Sequence, residues 1–272
     1  MKTYIINLER SKERRKHITS EVERLGLDYE IITAIDGNDF TDEDLAKVAD
    51  MSVIEPNKHW FGKNLVAGSL SHRKVYETMI RQGDEIALVL EDDARLDPSL
   101  KEVLNAVAPL VGDYELTMLY WECLKDLNLS TLGAVEVTHN RKLYYPMSEE
   151  GVCSGAAYIV RRSLAKRLYQ ANFPVRIPPD GWADFYREGA ISRIRMIYPA
   201  AAGVIGAKSN ITVGSRTRFT GWLSSVADEL DIPLLNSFFR KRRLKAVEKR
   251  LEVGFTDHPS PLYVMDDQAI TR

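Results

Sequence analysis

Blocks of apolar residues alternate with stretches of helical periodicity along the chain up to about residue 200. Short apolar runs predict strands over 3–8, 29–34, 86–90, 115–121, 134–138, 153–160 and 194–198. Apolar residues at helical spacing predict helices over 11–25, 41–48, 65–80, 99–110, 163–170 and 182–187. Residues 51–64 and 173–179 are predicted to be irregular. The chain therefore opens as β-α-β and continues with strands and helices interspersed, which is typical of an α/β fold.

The most informative stretch is the apolar run Ile86–Leu90, which leads directly into Glu91, Asp92 and Asp93. An unbroken apolar run predicts a strand that is buried on both faces, and ligands of α/β sheets collect at the carboxyl ends of such strands. Three adjacent carboxylates repel one another unless a cation neutralises them, and hard oxygen ligands suit Mg²⁺ or Mn²⁺. The alternative is a solvated acidic turn before the next helix, and this pattern alone does not decide between the two.

A basic cluster follows the first predicted strand, where Ser11 is the expected N-cap of a helix. The cluster contains Arg10, Lys12, Arg14, Arg15 and Lys16. Basic groups beside a helix N-terminus suit a phosphate or a nucleotide, although a solvated helix face would show the same composition. The stretch has neither the Gly-x-Gly-x-x-Gly pattern of a dinucleotide fold nor a P-loop, so neither site is indicated.

Two features of the second half are candidates for ligand contact. The predicted strand 153–160 contains unusually small residues, which allow a ligand or another backbone to approach closely. Asp180 ends a proline-rich loop and is the expected N-cap of the helix 182–187, and Asp184 lies one turn further on. Ser163 is the expected N-cap of the helix before this loop.

Composition narrows the class of protein. The 272 residues are 44% hydrophobic and 28% charged, which fits a soluble globular protein, and the net charge of −2 gives no support to a nucleic-acid partner. No apolar run is long enough to span a bilayer, and the N-terminal residues predict a strand instead of a signal peptide. Two cysteines, Cys123 and Cys153, make no disulfide framework, so we expect free thiols and a cytoplasmic protein.

The character of the chain changes near residue 216, so we expect two units, 1–215 and a helical, basic extension over 216–272. Apolar and aromatic residues up to Phe238 and Phe239 precede the basic block 240–245. Aromatic residues beside basic residues on a helix suit peripheral attachment to an anionic membrane. A helix docked on the domain with a solvated basic face is the equal alternative.

Several stretches together carry a resemblance to a known family. They are Ile5–Leu8 with Arg10, Arg14 and Arg15, the segment 34–37, Ser71 with His72, and the segments 89–93, 155–160 and 178–180. In this order and spacing the chain resembles glycosyltransferase family 25, which contains bacterial lipooligosaccharide galactosyl- and glucosyltransferases and collagen galactosyltransferases. The resemblance covers roughly residues 3–210.

The resemblance implies a GT-A-like α/β/α sandwich with a mostly parallel central sheet. It implies an inverting transferase that moves galactose or glucose from a UDP-sugar to a glycan acceptor, here a lipid-linked lipooligosaccharide or lipopolysaccharide. By the same match Asp93 is the expected ligand of a divalent metal, Mn²⁺ or Mg²⁺, and Glu91 faces the metal or the ribose. The expected acceptor-side carboxylates are Asp180, as base or hydroxyl ligand, and Asp184.

The resemblance also assigns a nucleotide-binding half. Its expected residues are Asn7, Arg10, Arg14, Ala34, Asp36, Gly37, Ser71, His72, Glu91 and Asp92. The chain departs from the family at 64–68, which lacks the usual Gly-Glu-x-Gly-Cys run, and at 200–210, which offers no late His or Asp to the metal. A third protein ligand is therefore left open. The other hypotheses are a metal-dependent nucleotidyltransferase or phosphohydrolase, and a non-catalytic nucleotide-sugar or glycan-binding module.

Overall fold

The computed structural model describes residues 1–123, 126–205 and 252–263, and a mixed β-sheet forms its centre. The strands are β1 (Lys2–Asn7), β2 (Tyr29–Thr33), β3 (Ile86–Glu91), β4 (Ala94–Leu96), β5 (Glu115–Met118), β6 (Glu122–Cys123), β7 (Asn128–Thr138), β8 (Arg141–Pro146), β9 (Val152–Cys153), β10 (Ala157–Arg161), β11 (Arg193–Tyr198), β12 (Ala202–Val204) and β13 (Gly254–Thr256). The helices are α1 (Lys12–Arg24), α2 (Asp42–Val48), α3 (Met51–Asn57), α4 (Lys63–Gln82), α5 (Leu100–Val107), α6 (Arg162–Ala171) and α7 (Trp182–Arg187), with short 3₁₀ helices at Gly37–Asp39 and Ala108–Leu110.

Nine of the described strands form one sheet in the order β13-β7-β8-β11-β5-β10-β3-β1-β2. The pairs β1–β2, β1–β3, β5–β11 and β7–β13 are parallel, and β10 and β8 run antiparallel to both of their neighbours. Seven of the nine strands therefore point the same way, as the mostly parallel prediction requires. The smaller pairs β4–β12 and β6–β9 lie outside this sheet.

Helices cover both faces of the sheet. On one face α4, α6 and α7 pack a core that includes Val75, Leu164 and Trp182, and on the other α1 and α5 pack a core that includes Ile18 and Val103. Each long strand serves both cores because its successive side chains point to opposite faces. The α/β/α sandwich predicted for the chain is confirmed.

The helices predicted over 11–25, 41–48 and 65–80 are confirmed, and their ends have visible causes. Helix α2 begins with a complete capping box, in which Thr41 and Asp44 exchange side-chain to backbone hydrogen bonds. Helices α1 and α4 are followed by Gly26 and Gly83, with φ of +59° and +79°. That left-handed conformation favours glycine and ends a helix.

Other local predictions are wrong. Residues 51–57 form helix α3, because Asp50 caps it by accepting from the Ser52 N–H and Ile54 packs in the core. Ser163 does not cap α6, since its hydroxyl donates to Asp113 Oδ1 at 2.7 Å. The stretch 153–160 is not one strand. It is divided between β9 and β10, and residues 154–156 join the two.

The C-terminal extension is described only over 252–263. Strand β13 lies there, and it pairs with β7 at the edge of the main sheet, so the extension is not helical throughout. The predicted aromatic residues and basic block at 238–250 lie outside the described residues. Cys123 and Cys153 are free thiols, as predicted, and burial raises the pKa of Cys123 to about 11. Among the described helices none is both long and apolar enough to cross a membrane.

Candidate active site

A cleft of about 750 Å³, its open mouth included, lies where the parallel strands β1, β2 and β3 end. This is the edge where ligands of α/β sheets are held. Nine of the ten predicted nucleotide-binding residues line it together with Asp93, and the tenth, Asn7, lies buried beneath it. The cleft is also lined by residues that were not predicted to contact a ligand, namely Ile6, Leu8, Ile35, Asn64, Gly68 and Pro179.

Asp92 anchors the floor of the cleft and is 5% exposed. Its carboxylate accepts from Asn7 Nδ2 at 2.8 Å and pairs with Arg14 at 3.0 Å. Burial raises the pKa of Asp92, whereas Arg14 and Asn7 act in the opposite direction. Both carboxylate oxygens are thus engaged by protein, and Asp92 holds the basic helix α1 against the end of β3. Its arrangement suits positioning Arg14 more than direct ligand contact.

Asp93 differs from Asp92 because one of its carboxylate oxygens lacks a hydrogen-bond partner. Its Oδ2 lies 3.6 Å from Arg14, but its Oδ1 is buried without a hydrogen-bond partner. Burial, followed by repulsion from Glu91, raises the pKa of Asp93 to about 7, although Arg14 opposes the rise. An unpartnered oxygen in a repulsive pair is a donor set that a divalent cation would satisfy.

The donor set fits a metal held by few protein ligands. Over residues 1–123, 126–205 and 252–263 no three His, Cys, Asp or Glu side chains are grouped so that they could hold an ion. Mg²⁺ in particular is usually bound through one or two carboxylates together with substrate phosphates. Asp93 and Glu91 therefore match a site that is completed by a diphosphate.

Glu91 reaches the mouth of the cleft beside a glycine. Its Oε1 lies 3.4 Å from His72 Nε2, and its side chain is 37% exposed. A Cβ on Gly155 would lie 2.7 Å from Glu91 Oε1 and 2.9 Å from His72 Cε1. A left-handed backbone is not the reason for glycine at this position, because the φ of Gly155 is not positive. Glycine is required here by the close approach of the two side chains.

We expect Gly155→Ala to weaken the site while leaving the fold intact. The added methyl group must push Glu91 and His72 apart. If Glu91 holds a metal, as the resemblance implies, displacing its neighbour should cost about 10- to 100-fold in metal affinity or activity. Mn²⁺ affinity and transfer rate are the measurements. Gly189→Ala is a control for stability, since its added Cβ meets nothing within 4 Å, although φ of +76° strains it. Unchanged Mn²⁺ affinity in Gly155→Ala would contradict the close contact.

The end of β2 forms the opposite wall of the cleft. Arg10 forms a salt bridge with Asp36, and this bridge lowers the pKa of Asp36. Ser71 on α4 accepts from the Ile35 N–H at 2.9 Å and so ties the loop after Ala34 to that helix. Gly37 packs so tightly against α4 that an added Cβ would overlap Asn64 Oδ1. These contacts fix the loop that carries Arg10's partner.

Asp180 is not among the residues that line the cleft, and it does not cap α7 as the sequence predicted, because Gly181 takes the N-cap position. Its Oδ2 instead accepts from the Ser154 N–H at 3.2 Å, and the adjacent Pro179 lines the cleft. Burial, followed by repulsion from Glu91, raises the pKa of Asp180, whereas the Ser154 N–H lowers it. Glu91 and Asp180 are thus both close to the segment 154–155.

Asp184 lies elsewhere. Its side chain is 52% exposed and contacts Arg187 at 3.5 Å, and it does not line the cleft. Because α7 begins at Trp182, Asp180 is not on that helix and the two carboxylates do not share a helical face. Asp180 and Asp184 are therefore not grouped by the fold, and of the two only Asp180 is close to the other candidate residues.

Comparisons with known proteins agree on one family. The model of glycosyltransferase family 25, described as an LPS biosynthesis protein family, matches residues 1–182. A glycosyltransferase 25 family member of Anopheles gambiae is 26% identical over 205 residues, which are 70% of this chain and 34% of that protein. Another from Aedes aegypti is 32% identical over 42% of this chain and 20% of that protein. Procollagen galactosyltransferase 1-B of Xenopus laevis is 23% identical over 44% and 20%, respectively.

Among solved structures, mannose-1-phosphate geranyltransferase from Thermus thermophilus aligns over 72% of each chain at 10% identity, and its TM-score of 0.33 is too low to support an argument. The curated relatives are longer proteins, and this chain spans about a third of the Anopheles protein and a fifth of the other two. The family model nevertheless matches well over half of the 272 residues, beginning at the first strand and ending in α7. This chain belongs to glycosyltransferase family 25.

Proposed function

We propose that this protein is an inverting glycosyltransferase that moves galactose or glucose from a UDP-sugar to a lipooligosaccharide or lipopolysaccharide glycan. The observation that carries the proposal is the unpartnered Asp93 Oδ1 beside Glu91 and Arg14, in a cleft at the ends of parallel strands. Galactosyl transfer appears in the names of the Xenopus relatives, and lipopolysaccharide synthesis appears in the family's description.

The donor diphosphate is proposed to lie between the basic and acidic walls of the cleft. Arg10 and Arg14 supply positive charge, and Asp93 and Glu91 would hold a divalent cation, Mn²⁺ or Mg²⁺. Such an ion neutralises the charge that develops on the leaving diphosphate. Asp92 and Asn7 act by holding Arg14 and the end of β3 in place.

Asp180 is proposed as the general base. The acceptor hydroxyl gives its proton to the Asp180 carboxylate while its oxygen forms a bond to C1 of the hexose. The bond from C1 to the diphosphate oxygen breaks, and UDP leaves with that electron pair. The raised pKa of Asp180 makes it a stronger base than an exposed aspartate. Displacement in one step inverts the configuration at C1.

The test is turnover of UDP-sugars with Mn²⁺ and a lipooligosaccharide acceptor. The expected products are intact UDP and an extended glycan. Release of UMP or inorganic phosphate would instead indicate a nucleotidyltransferase or phosphohydrolase. Binding of the UDP-sugar without any turnover would indicate a non-catalytic binding module.

We expect UDP affinity to depend on metal. Calorimetry in EDTA should give binding at least about tenfold weaker than in Mn²⁺, because the arginines alone must then offset the diphosphate charge. Arg10→Gln should weaken binding further, whereas Arg15→Gln, on the exposed side of α1, should not. Equal affinity in EDTA and Mn²⁺ would mean that the acidic cluster does not serve the diphosphate.

The basic block near the C-terminus is proposed to hold the enzyme at the cytoplasmic face of an anionic membrane, where a lipid-linked acceptor resides. The sequence supports this with Phe238 and Phe239 followed by the cations 240–243. Each such cation contributes on the order of 1 kcal/mol against an anionic leaflet, and salt screens it. Sedimentation with phosphatidylserine vesicles should show salt-sensitive binding that is lost on truncation after Leu235. Equal sedimentation of both proteins would contradict it.

A further inference from the structure

A chain of hydrogen bonds runs from the cleft into the core through four side chains. His72 Nε2 lies 3.4 Å from Glu91 Oε1, and His72 Nδ1 lies 2.8 Å from the Tyr158 hydroxyl. The Tyr158 hydroxyl in turn lies 2.9 Å from the Tyr76 hydroxyl. Glu91 reaches solvent, whereas His72 and the two tyrosines are at most 4% exposed. Water therefore has little access to the inner part of this chain.

Packing fixes the members of the chain. His72 and Tyr76 are four residues apart on α4 and so lie on one helical face. Tyr158 on β10 stacks on His72 with ring centroids 5.8 Å apart, and it meets Trp182 edge-on at 5.1 Å. The same strand places Tyr158 opposite Val89 of β3, two residues before Glu91. The positions of His72, Tyr76 and Tyr158 are therefore fixed by packing in the core of the domain.

The donor and acceptor properties of these side chains fix the direction in which each hydrogen bond is donated. A carboxylate only accepts, so the proton between His72 and Glu91 belongs on Nε2. In a neutral imidazole the other nitrogen is then an acceptor, and Tyr158 must donate to Nδ1. The Tyr158 oxygen can accept in turn from the Tyr76 hydroxyl. Donation from Tyr76 to Tyr158, to His72 and to Glu91 satisfies every group.

We propose that Tyr158 and Tyr76 are positioning residues, which hold His72 in its Nε2–H tautomer so that the ring orients the Glu91 carboxylate at the mouth of the cleft. The ligand that Glu91 serves rests on the proposed function, but the direction of the hydrogen bonds does not. Outer partners of this kind fix the tautomer and orientation of the groups that contact a metal.

Orientation matters here because Glu91 has three rotatable side-chain bonds and is 37% exposed. Within the described residues, His72 supplies the hydrogen bond that its carboxylate receives. Without the Tyr158 hydroxyl the His72 ring no longer fixes the Glu91 carboxylate. Part of the free energy of ligand binding is then used to order Glu91, and affinity falls. We expect about a tenfold loss of Mn²⁺ affinity, the size found when an outer-shell partner is removed.

The test has a spectroscopic and a binding arm. Two-bond ¹⁵N–¹H spectra of histidine-labelled protein, in EDTA at pH 8, report the tautomer of each of the five histidines, and His72→Gln assigns its signals. The expected result is an Nε2–H ring whose Nδ1 resonance is displaced by a hydrogen bond. In Tyr158→Phe that Nδ1 resonance should move to the position of a nitrogen without a donor. Binding of Mn²⁺ alone, measured by electron paramagnetic resonance, should weaken about tenfold.

Tyr4→Phe is the matched control. Tyr4 is fully buried in the same core, and its hydroxyl lies within hydrogen-bond distance of Asp84 and Gln82. Gln82 is ten residues along α4 from His72, or about 15 Å. This variant should leave Mn²⁺ affinity and the His72 signals unchanged. Should Tyr158→Phe fail to fold, Tyr76→Phe removes only the outer hydroxyl, and a smaller shift in the same direction is expected.

Three results would overturn the inference. The first is an Nδ1–H ring in the wild type, which would leave Nε2 available to a metal. The second is a doubly protonated ring at pH 8, where an ordinary histidine is neutral. The third is a foldable Tyr158→Phe or Tyr76→Phe variant that behaves as Tyr4→Phe does. Failure of the wild type to bind Mn²⁺ would count against the proposed metal site, while the spectra would still decide the direction of the hydrogen bonds.

Discussion

Asp93→Asn should abolish sugar transfer and, at pH 8 in EDTA, make the protein more stable. Activity should fall at least about 100-fold, because the substitution removes the proposed charged metal ligand. Stability should rise by roughly 1–3 kcal/mol, because the variant no longer holds a buried carboxylate next to Glu91. Few inactivating substitutions stabilise a protein. Loss of activity together with a gain in stability would therefore indicate that Asp93 is a metal-coordinating residue whose buried charge is unfavourable without the ion.

The sign of the pH dependence follows from the pKa of Asp93, which is raised from its ordinary value to about 7. The folded protein holds this proton more tightly than the unfolded chain does, so the native state is relatively favoured at low pH. That advantage is lost as the pH rises from about 4 through about 7. The increase in the free energy of unfolding from Asp93→Asn should therefore be largest above pH 7 and disappear towards pH 4.

Chemical denaturation at pH 8 and pH 4.5 checks this expectation, with Asp36→Asn as a control of opposite sign. The Arg10 salt bridge lowers the pKa of Asp36, so its charge favours the folded state above pH 4. Asp36→Asn should accordingly lose a little stability at pH 8. Mn²⁺ should raise the melting temperature of the wild type but not of Asp93→Asn. Reduced stability of Asp93→Asn at pH 8, or near-normal activity, would contradict the assignment.

Asp180→Asn should lower kcat by about 10²- to 10⁴-fold, the usual contribution of a general base. The amide oxygen can still accept from the Ser154 N–H, so the loop and the fold should be retained. UDP affinity in Mn²⁺ should change less than about twofold, since the proposed base would contact the acceptor and not the diphosphate. The measurements are steady-state kinetics with the lipooligosaccharide acceptor and calorimetry with UDP.

Asp184→Asn provides the matched control, because it makes the same change four residues away on an exposed side chain. It should leave kcat and KM within about twofold of the wild type, as most surface substitutions do. In the wild type, kcat/KM should rise with pH through a pKa above that of an ordinary aspartate, because the base must be ionised. Equal effects of the two substitutions would remove Asp180 from the mechanism.

Most of the sheet could be predicted from the sequence because its strands are apolar on both faces. Ile86–Leu90 packs into both cores, so its burial leaves no ambiguity of face. The wrong predictions of helix ends occur where one residue type can serve several structural roles. Asp50 caps a helix that apolar periodicity did not indicate, and Ser163 and Asp180 have the composition of caps but bind other groups. Local propensity cannot distinguish these roles, because the competing partners are distant in sequence.

Part of the candidate site could likewise be predicted from the sequence, and part required the fold. The carboxylates that follow β3 and the cations that follow β1 could be placed together, because parallel neighbours end at one edge. The pattern of residues alone could not tell Asp92 from Asp93, and only the family resemblance favoured Asp93 as the metal ligand. Only the fold shows that Asp92 is satisfied by Asn7 and Arg14, whereas Asp93 Oδ1 is not satisfied.

The sequence by itself determined the family, the order of most of the core elements and the set of charges at one edge of the sheet. It could do so because hydrophobic period and motif spacing are local properties of the chain. The tertiary structure decided which carboxylates are partnered, that Asp180 lies near Glu91 whereas Asp184 does not line the cleft, and that Tyr76 and Tyr158 connect to His72. Those outcomes depend on burial and on contacts between residues far apart in sequence, such as Tyr76 with Tyr158, and no local pattern encodes them.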